Sequence, residues 1–255
     1  MATRRGRPTP KSQVKSRKLL RNRQDTAGSE SYMSAEHEPK HPDSLDQRLI
    51  GEINCDIATL GEVRPETLLR FAFKRVGFNT DVDPSTQNTP RRFIKYLMEY
   101  LNRFDPMAVL GDGFKGPEDH GIHGIVAQCN IPFRMICEHH LLPAFGLAHV
   151  GYIPRHKVVG LSKLARLVEG FGTQQPSMQE LIGEKIADAL HKGLDSNGSI
   201  VLIEAEHTCM SCRGVTAPGV ITSTQVIRGV FRDVPAAREE FAQLVASAKG
   251  KGSNR

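Results

Sequence analysis

Two short segments contain the side chains that are best suited to hold a metal ion. Cys137 and His140 lie three positions apart, so a thiolate and an imidazole, both good zinc ligands, can reach the same ion. His207 and Cys209 lie two positions apart in a segment of alternating apolar residues, which predicts that both project from one face of a strand. A Cys-x-x-His pair alone is common by chance, but the second segment supplies further ligands. The sequence therefore predicts a zinc site built from both segments.

The residue Cys212 leaves the type of zinc site open. Together with Cys137, His140 and Cys209 it would complete a closed Cys₃His set, which is typical of structural zinc sites. Strand alternation, however, predicts that Cys212 points away from the face that carries Cys209, which favours three protein ligands and an open fourth position. The closed set indicates a nucleic-acid-binding module with a basic tail, and the open set indicates a hydrolytic enzyme.

Further charged residues lie near predicted helix starts. Lys163 and Arg166 are three positions apart and are therefore neighbours on one face of a helix, whose N-terminus at Ser162 also favours anions. A solvated helix face is the usual alternative for such a pair. Glu180 follows Ser177 at the spacing of a capping box, in which it would stabilise a helix start and bind no ligand.

Apolar periodicity predicts the elements that position these residues. Helices are predicted at 65–78, from 89, from Ser162, after Pro176 and at 235–248. Strands are predicted at 125–137, 144–153, 200–209 and 220–231, whereas residues 105–124 have a loop-like composition. Thr89 is the predicted cap of its helix, with Pro90 at the first helical position. This order is not a regular βαβ alternation, and it predicts an α+β fold with an antiparallel sheet.

Positive charge is concentrated at the start of the chain. The 255 residues carry a formal net charge of +6, but residues 1–24 contain nine Lys or Arg and no acidic residue, which leaves the remainder at about −3. Residues 1–58 show no sustained apolar period, so we expect a basic, mostly disordered tail. Nucleic acid is not expected as a partner, with residues 1–24 as the one segment whose charge would suit it.

The composition also limits the class of protein. A hydrophobic fraction of 39% and a charged fraction of 24% are ordinary for a soluble globular protein. The longest apolar runs are only a few residues and the start shows no signal-peptide pattern, so we expect no membrane span and no secretion. Five cysteines at uneven spacing indicate a reducing compartment, and we expect the cytoplasm.

Several motifs together resemble those of the GTP cyclohydrolase I family. They occur in the family's order and at nearly its spacing, and the likeness extends from about residue 60 to 248. The resemblance implies an α+β tunnelling fold (T-fold), in which helices and an N-terminal helical segment pack on an antiparallel sheet, and a catalytic domain at residues 59–250. The motifs are Thr-Pro-Arg-Arg (89–92), Cys-Glu-His-His-Leu-Leu-Pro (137–143), Gly-Tyr-Ile-Pro (151–154), Gly-Leu-Ser-Lys-Leu-Ala-Arg (160–166), Gln-Glu (179–180) and His-Thr-Cys-Met-Ser-Cys-Arg-Gly (207–214).

The resemblance also implies the chemistry. Zinc would be held by Cys137, His140 and Cys209, with a fourth position for the water that attacks C8 of GTP. His139 and His207 would transfer protons while the ring opens and C8 leaves as formate. The product implied is 7,8-dihydroneopterin triphosphate, in the first step of pterin or folate-type biosynthesis.

Substrate and assembly follow from the same resemblance. It implies a ring-shaped homo-oligomer, expected to be a decamer, with active sites between subunits. A rival enzyme of the same fold that forms other pterins or deazapurines is disfavoured by the Cys-Glu-His-His and His-x-Cys motifs. The residues implied to bind GTP are Arg92, Ser162, Lys163, Arg166 and Arg213 for the triphosphate, Glu180 for the guanine edge, and Gln179 beside it.

Overall fold

Strands form the centre of the fold. The structure, a computed structural model, describes residues 63–111, 113–115 and 124–252. The strand bounds are β1 Phe114–Lys115, β2 Val126–Ile136, β3 Pro143–Ile153, β4 Lys157–Val158, β5 Gly198–His207 and β6 Ile221–Gly229. Four of the strands make an antiparallel sheet in the order β2-β3-β5-β6, and β1 pairs separately with β4.

Helices precede, interrupt and follow the sheet along the chain. None of the helices in the described part of the chain has the length and apolar character needed to cross a membrane. Their bounds are α1 Pro65–Arg75, α2 Thr89–Met98, α3 Pro106–Leu110, α4 Leu161–Thr173, α5 Gln179–Asp188, α6 Thr208–Ser211, α7 Val230–Asp233 and α8 Pro235–Gly252, and α5 continues into a π-helical turn at Ala189–Gly193.

One face of the sheet packs against α4 and α5. Alternate residues of β3, such as Ala148 and Val150, project into this layer and are fully buried. They meet the apolar stripes of the two helices, including Leu164 and Ile182, which are also fully buried. This layer is the main core, and it holds the sheet rigidly beneath both helices.

The opposite face of the sheet is covered at one end by α8. Phe241 of α8 packs with Ile200 of β5 and Phe231 of α7 in a second buried cluster. A side chain at Gly151 would place its Cβ 2.9 Å from the Phe241 ring, so glycine at this position allows the close approach of α8.

The predicted element types are confirmed, and several bounds are corrected. The cap of α2 is Asn88, not Thr89, which is itself the first helical residue. The loop-like stretch 105–124 contains the short helix α3, whose N-cap Asp105 accepts a hydrogen bond from the Met107 N–H. Helix α4 begins at Leu161, one residue before the predicted start. The predictions for residues 1–58 lie outside the described residues.

A polar cluster ties α8 to the sheet. Asn130 lies in a β-bulge of β2 at φ 57°, and its N–H donates to Nδ1 of the buried His149 at 3.2 Å. A backbone N–H can only donate, so Nδ1 is unprotonated and Nε2 carries the proton towards Glu204 at 3.2 Å. Asn130 Nδ2 donates to the Ala248 carbonyl at 3.1 Å, and Lys249 Nζ lies 2.5 Å from Glu204 Oε2. These contacts hold the end of α8 against the bulge of β2 and against β5.

We expect this cluster to make the stability of the fold depend on pH. Burial lowers the pKa of His149 below its usual 6.5, against the opposing charge of Glu204. As the pH falls through 6.5, the imidazole of His149 binds a proton in the unfolded chain but not in the folded chain. The free energy of unfolding should therefore fall as the pH falls from about 7.5 to about 5.5. His149→Leu should cost roughly 1–3 kcal/mol at the higher pH, because the Asn130 N–H loses its acceptor and Glu204 loses one of its two partners. Urea unfolding of both proteins at the two pH values measures this, and an equal pH dependence would contradict it.

Candidate metal centre and active-site cavity

Two of the three candidate metal ligands lie in the tight turn between β2 and β3. Cys137 directly follows β2, and its N–H donates to the Leu142 carbonyl while its carbonyl accepts from the Leu141 N–H, both at 2.9 Å. Leu141 takes the left-handed conformation, with φ 52°, that closes the turn. The turn brings the imidazole of His140 back over Cys137, with Nδ1 3.7 Å from Sγ.

The third candidate ligand, Cys209, comes from a helical turn and not from a strand. Strand β5 ends at His207, and residues 208–211 form α6, which corrects the prediction that His207 and Cys209 share a strand face. The hydroxyl of Thr208 donates to the Pro143 carbonyl at 2.6 Å and so fixes the turn against the start of β3. The bend brings Cys209 towards the β2–β3 turn.

These three residues match the requirements of a zinc site. The ligand atoms of Cys137, His140 and Cys209 all lie within 4.8 Å of one another. With zinc bonds of about 2.3 Å to sulfur and about 2.0 Å to nitrogen, tetrahedral ligand atoms are separated by about 3.6 Å, close to the distance between Cys137 and His140. Burial raises the pKa of the Cys209 thiol, as does the neighbouring Cys137. A divalent cation would offset both effects, because it stabilises the thiolate forms.

The thiol of Cys212 does not belong to this ligand group. Cys212 is the C-cap of α6, where its N–H donates to the Thr208 carbonyl at 2.9 Å, and its side chain is exposed. The prediction that Cys212 stays apart from the ligands agrees with this geometry, but its reason was wrong. The chain is helical here, so strand alternation does not separate Cys212 from Cys209.

A cavity of about 280 Å³ opens beside the three ligands. Glu180 lies in its wall at the start of α5, where the N-cap is Met178 and no side chain caps the helix. The capping box proposed as an alternative for Glu180 is therefore absent, because Ser177 pairs through its backbone with Ile136 and Glu138. The cavity is lined by Met135, Cys137, His139, His140, Ser177, Met178, Gln179, Glu180, His207, Cys209, Met210 and Thr222.

One buried amide determines which nitrogen of His207 carries a proton. Nε2 of Gln179 donates to the Ile203 carbonyl at 3.1 Å and to the Thr222 carbonyl at 3.0 Å, and carbonyls can only accept. Oε1 of Gln179 must therefore face Nε2 of His207, which lies 2.8 Å away and must donate. Burial lowers the pKa of His207, and Glu180 opposes this effect, so the neutral ring keeps a lone pair on Nδ1. A contact of Gln179 with substrate would have to use its backbone, since both ends of its side chain bind protein atoms.

The other histidine of this turn, His139, is accessible to solvent. His139 is 60% exposed at the side chain, with Nδ1 3.8 Å from Cys137 Sγ and Nε2 3.8 Å from a Glu138 carboxylate oxygen. Its imidazole lines the cavity but lies outside the ligand group of three. It can therefore exchange protons with solvent at the cavity mouth.

Comparison with known proteins places the chain in a family. A family model described as GTP cyclohydrolase I matches residues 67–246. The chain belongs to the GTP cyclohydrolase I family. GTP cyclohydrolase 1 of Halalkalibacterium halodurans is 47% identical over 163 residues, covering 62% of this chain and 84% of that protein, and its namesake in Mycobacterium bovis is 40% identical over 192 residues, covering 74% and 93%. The apo crystal structure of archaeosine synthase QueF-Like aligns with a TM-score of 0.35 and 13% identity, over 42% of this chain and 94% of that one.

The family match and the relatives confirm two predictions made from the motifs: that the chain belongs to the GTP cyclohydrolase I family, and that it is an enzyme. The structure brings together, around the cavity, the three predicted ligands, both histidines predicted to transfer protons, and Gln179 and Glu180. Arg213 is close enough for its charge to lower the pKa of Cys209, against the larger effect of burial. Arg92, by contrast, lies in α2, where its guanidinium donates to the Ser85 carbonyl at 3.5 Å.

The remaining predicted cations of this GTP cyclohydrolase I family member lie at the far end of the sheet. The Val159 N–H, just before α4, donates to the Tyr152 hydroxyl at 3.1 Å. Tyr152 is eight residues from Ala144 along β3, a distance of about 26 Å, and Ala144 pairs with His207 beside the ligands. The cluster at the start of α4, which consists of Ser162, Lys163 and Arg166, therefore does not meet the metal ligands of its own chain.

We expect Gln179 to control the protonation pattern of His207. Gln179→Leu removes the acceptor for the Nε2 proton, so both tautomers become populated and kcat should fall about tenfold or more, with KM and metal content little changed. Nitrogen-15 NMR of the imidazole distinguishes the tautomers directly. Thr224→Val is the matched control, because it removes one acceptor of the Gln179 amide and leaves both carbonyls. An unchanged kcat in Gln179→Leu would refute this role.

The ligand group predicts which variants of the protein retain the metal ion. Cys137→Ser, His140→Ala and Cys209→Ser should each lose zinc, because each removes one of three ligands. Cys212→Ser should keep about one zinc ion per chain, since its sulfur lies outside the group. Elemental analysis of the purified variants measures this. Loss of zinc from Cys212→Ser would indicate a closed four-ligand site.

Proposed function

We propose that the protein is a zinc-dependent GTP cyclohydrolase that opens the guanine ring of GTP, releases C8 as formate and forms 7,8-dihydroneopterin triphosphate. This would be the first step of a pterin or folate-type biosynthesis. The observation that carries the proposal is the group of Cys137, His140 and Cys209 beside a cavity that also contains His207 and Glu180, in a chain of this family. The relatives bear the name GTP cyclohydrolase 1.

The three ligands would hold zinc through two thiolates and one imidazole, a donor set found in catalytic zinc sites. When bound, the ion supplies a water of lowered pKa, and thus a nucleophile near neutral pH. His207 is neutral at this pH, so its Nδ1 can accept a proton in the cavity while Gln179 holds the opposite nitrogen. His139, at the exposed mouth, can return a proton to a leaving nitrogen.

Recognition of guanine would fall to Glu180. Its carboxylate lies in the cavity wall, and no capping hydrogen bond engages it. Two carboxylate oxygens match the two adjacent N–H donors of the guanine edge, and charge-assisted hydrogen bonds of this kind are strong. The cavity is therefore suited to a purine whose C8 side faces the metal ligands.

Binding of the triphosphate would require a second chain. A triphosphate carries about four negative charges. Because the chain after residue 24 is acidic overall, it must concentrate cations where the triphosphate binds. The cluster at the start of α4 lies at the wrong end of the sheet to serve the cavity of its own chain, so we propose that it serves the cavity of a neighbouring protomer, beside Arg213. We extend this to the predicted ring-shaped decamer with active sites between subunits, and to Arg92 as a further phosphate ligand.

Exposed surfaces of the sheet support such an assembly. Among the described residues, β2 and β6 each pair with a single strand, which leaves two edges open to another chain. Phe145, Leu147 and Ile221 lie on the same sheet face as α8, towards the end that carries the ligands, and are 51%, 37% and 53% exposed. Apolar side chains on one face next to open edges are typical of an interface between subunits. We also propose that the antiparallel sheet and its helices form the tunnelling fold implied by the family resemblance.

We further propose a cytoplasmic location. The cysteines in the described part of the chain are free thiols, and a site that needs two thiolates depends on a reducing compartment. A nucleic-acid-binding module is not favoured, because the family is enzymatic and Cys212 lies outside the ligand group. Nucleic-acid binding through residues 1–24 stays a prediction, since these residues lie outside the described range.

The purified protein should release formate from GTP and far less from guanosine, because the cationic cluster contributes binding energy only when phosphates are present. Lys163→Ala should raise KM for GTP by about tenfold or more while zinc content is unchanged. A formate assay and the fluorescence of the oxidised pterin measure both substrates. Equal turnover of guanosine and GTP would refute the phosphate site.

Mixed oligomers test whether each site uses two chains. At GTP concentrations well below KM, Cys209→Ser should be inactive alone, and Lys163→Ala should keep about a tenth or less of the parent turnover. Co-expressed in equal amounts, they should recover about a quarter of the parent turnover, because a quarter of the sites then combine intact ligands from one chain with an intact Lys163 from its neighbour. Co-expression without recovery would place both groups in one chain.

A further inference from the structure

A second thiol lies next to a metal ligand without belonging to the ligand group. Cys209 lies in the helical turn α6 and Cys212 is its C-cap, three positions later; the turn is closed by the hydrogen bond from the Cys212 N–H to the Thr208 carbonyl at 2.9 Å. Residues three apart in such a turn are neighbours, with Cβ atoms about 5–6 Å apart. A disulfide needs Cβ atoms about 3.5–4.5 Å apart, so a small tightening of the turn would join the two sulfurs.

The surroundings of the turn allow this movement. Its start is anchored, because the Thr208 hydroxyl binds the Pro143 carbonyl. Its end is not anchored by burial, since Cys212 and the residues directly after it are exposed. Gly214 and Thr216 both have positive φ, 62° and 49°, in the loop that leads to β6. Cys212 can thus approach Cys209 by adjusting an exposed loop, without disturbing the core.

The other described cysteines are less suited to react first. Cys129 is partly buried in β2, where it packs against the cluster beneath α8. Cys137 is buried in the turn after β2. Cys212 is the exposed thiol among the described residues, and an accessible thiol is the one that meets a soluble oxidant.

We infer that Cys209 and Cys212 form a thiol switch on the metal site, closed by a small-molecule disulfide such as glutathione disulfide. The Cys212 thiolate attacks one glutathione sulfur, so that a mixed disulfide forms and one glutathione leaves as a thiolate. The Cys209 thiolate then attacks the Cys212 sulfur, and the second glutathione leaves. Two electrons pass from the protein to the glutathione disulfide, and the two thiol protons end on the two released glutathiones.

Closing this switch removes one of three metal ligands. Cys137 and His140 alone would remain, so the ion should dissociate and turnover should stop until a reductant restores the thiol. Bound metal in turn protects Cys209, because its sulfur is then shared with the ion. The inference rests on the metal site proposed above, but the disulfide can be detected whether or not the chain turns over GTP.

The experiment treats the zinc-loaded full chain with glutathione disulfide and follows two signals. Zinc release is measured with a chromogenic chelator, and the position of the disulfide is read from non-reduced tryptic peptides after alkylation. Both cysteines lie in one peptide, residues 193–213, whose mass falls by about 2 Da when the disulfide forms within it. A bond between Cys137 and Cys209 would instead link that peptide to residues 135–155.

We expect the parent to form the disulfide within residues 193–213, to release zinc and lose turnover together, and to recover both with dithiothreitol and zinc. Cys212→Ser should release zinc at least about tenfold more slowly, and the matched control Cys129→Ser should behave as the parent. Equal zinc loss from parent and Cys212→Ser would overturn the inference. So would a link between residues 135–155 and 193–213 in the parent, or an unmodified peptide 193–213 after full exposure. A parent that binds no zinc would refute the proposed metal site, while the peptide mass would still decide the disulfide.

Discussion

The antiparallel pairing of β3 with β5 determines where the chemistry of this chain can take place. Its register sets Ala144 opposite His207 and continues without a break to Ile153 opposite Gly198. A side chain at Gly146 would collide with the Glu204 carbonyl, so glycine at this position lets the two strands approach closely. Because β2 ends where β3 begins, the ligands after β2 and those after β5 meet at the same end of the sheet.

The same pairing places the candidate metal ligands and the cations of α4 at opposite ends of the strands. One end carries thiols, imidazoles and a carboxylate, and the opposite end carries the cations at the start of α4. Keeping these groups apart avoids neutralising the carboxylate of Glu180 within a single chain. In the proposed assembly, the cations at the start of α4 would complete the cavity of a neighbouring chain, so catalysis and assembly would depend on each other.

Much of this arrangement could be predicted from local patterns, and the rest depends on contacts between distant residues. Alternation and helical periods located every strand of the main sheet, and the ligand types indicated the two segments that meet at the candidate metal centre. No local pattern shows that Thr208 binds the Pro143 carbonyl, 65 positions away, which bends the chain before Cys209. The bonds of Gln179 to Thr222 and Thr224, more than 40 positions away, are equally invisible in the sequence. The capping box is absent for a similar reason, because the backbone N–H of Ser177 donates to the Ile136 carbonyl at the end of β2.

The distance along the chain between the ligands has a consequence for how the metal is acquired. Cys137 and Cys209 are separated by 72 positions, and they meet only after β3 has paired with β5. Closing so long a loop costs chain entropy and is slow, so we expect a metal ion to bind after the sheet has formed and not to nucleate the fold as it does in a zinc finger. In the proposed metal site, the ion would instead bind a sheet that has already formed, and it would stabilise the folded subunit by an amount that rises with the logarithm of the free ion concentration. Scarcity of zinc would therefore deplete the active form without preventing the chain from folding.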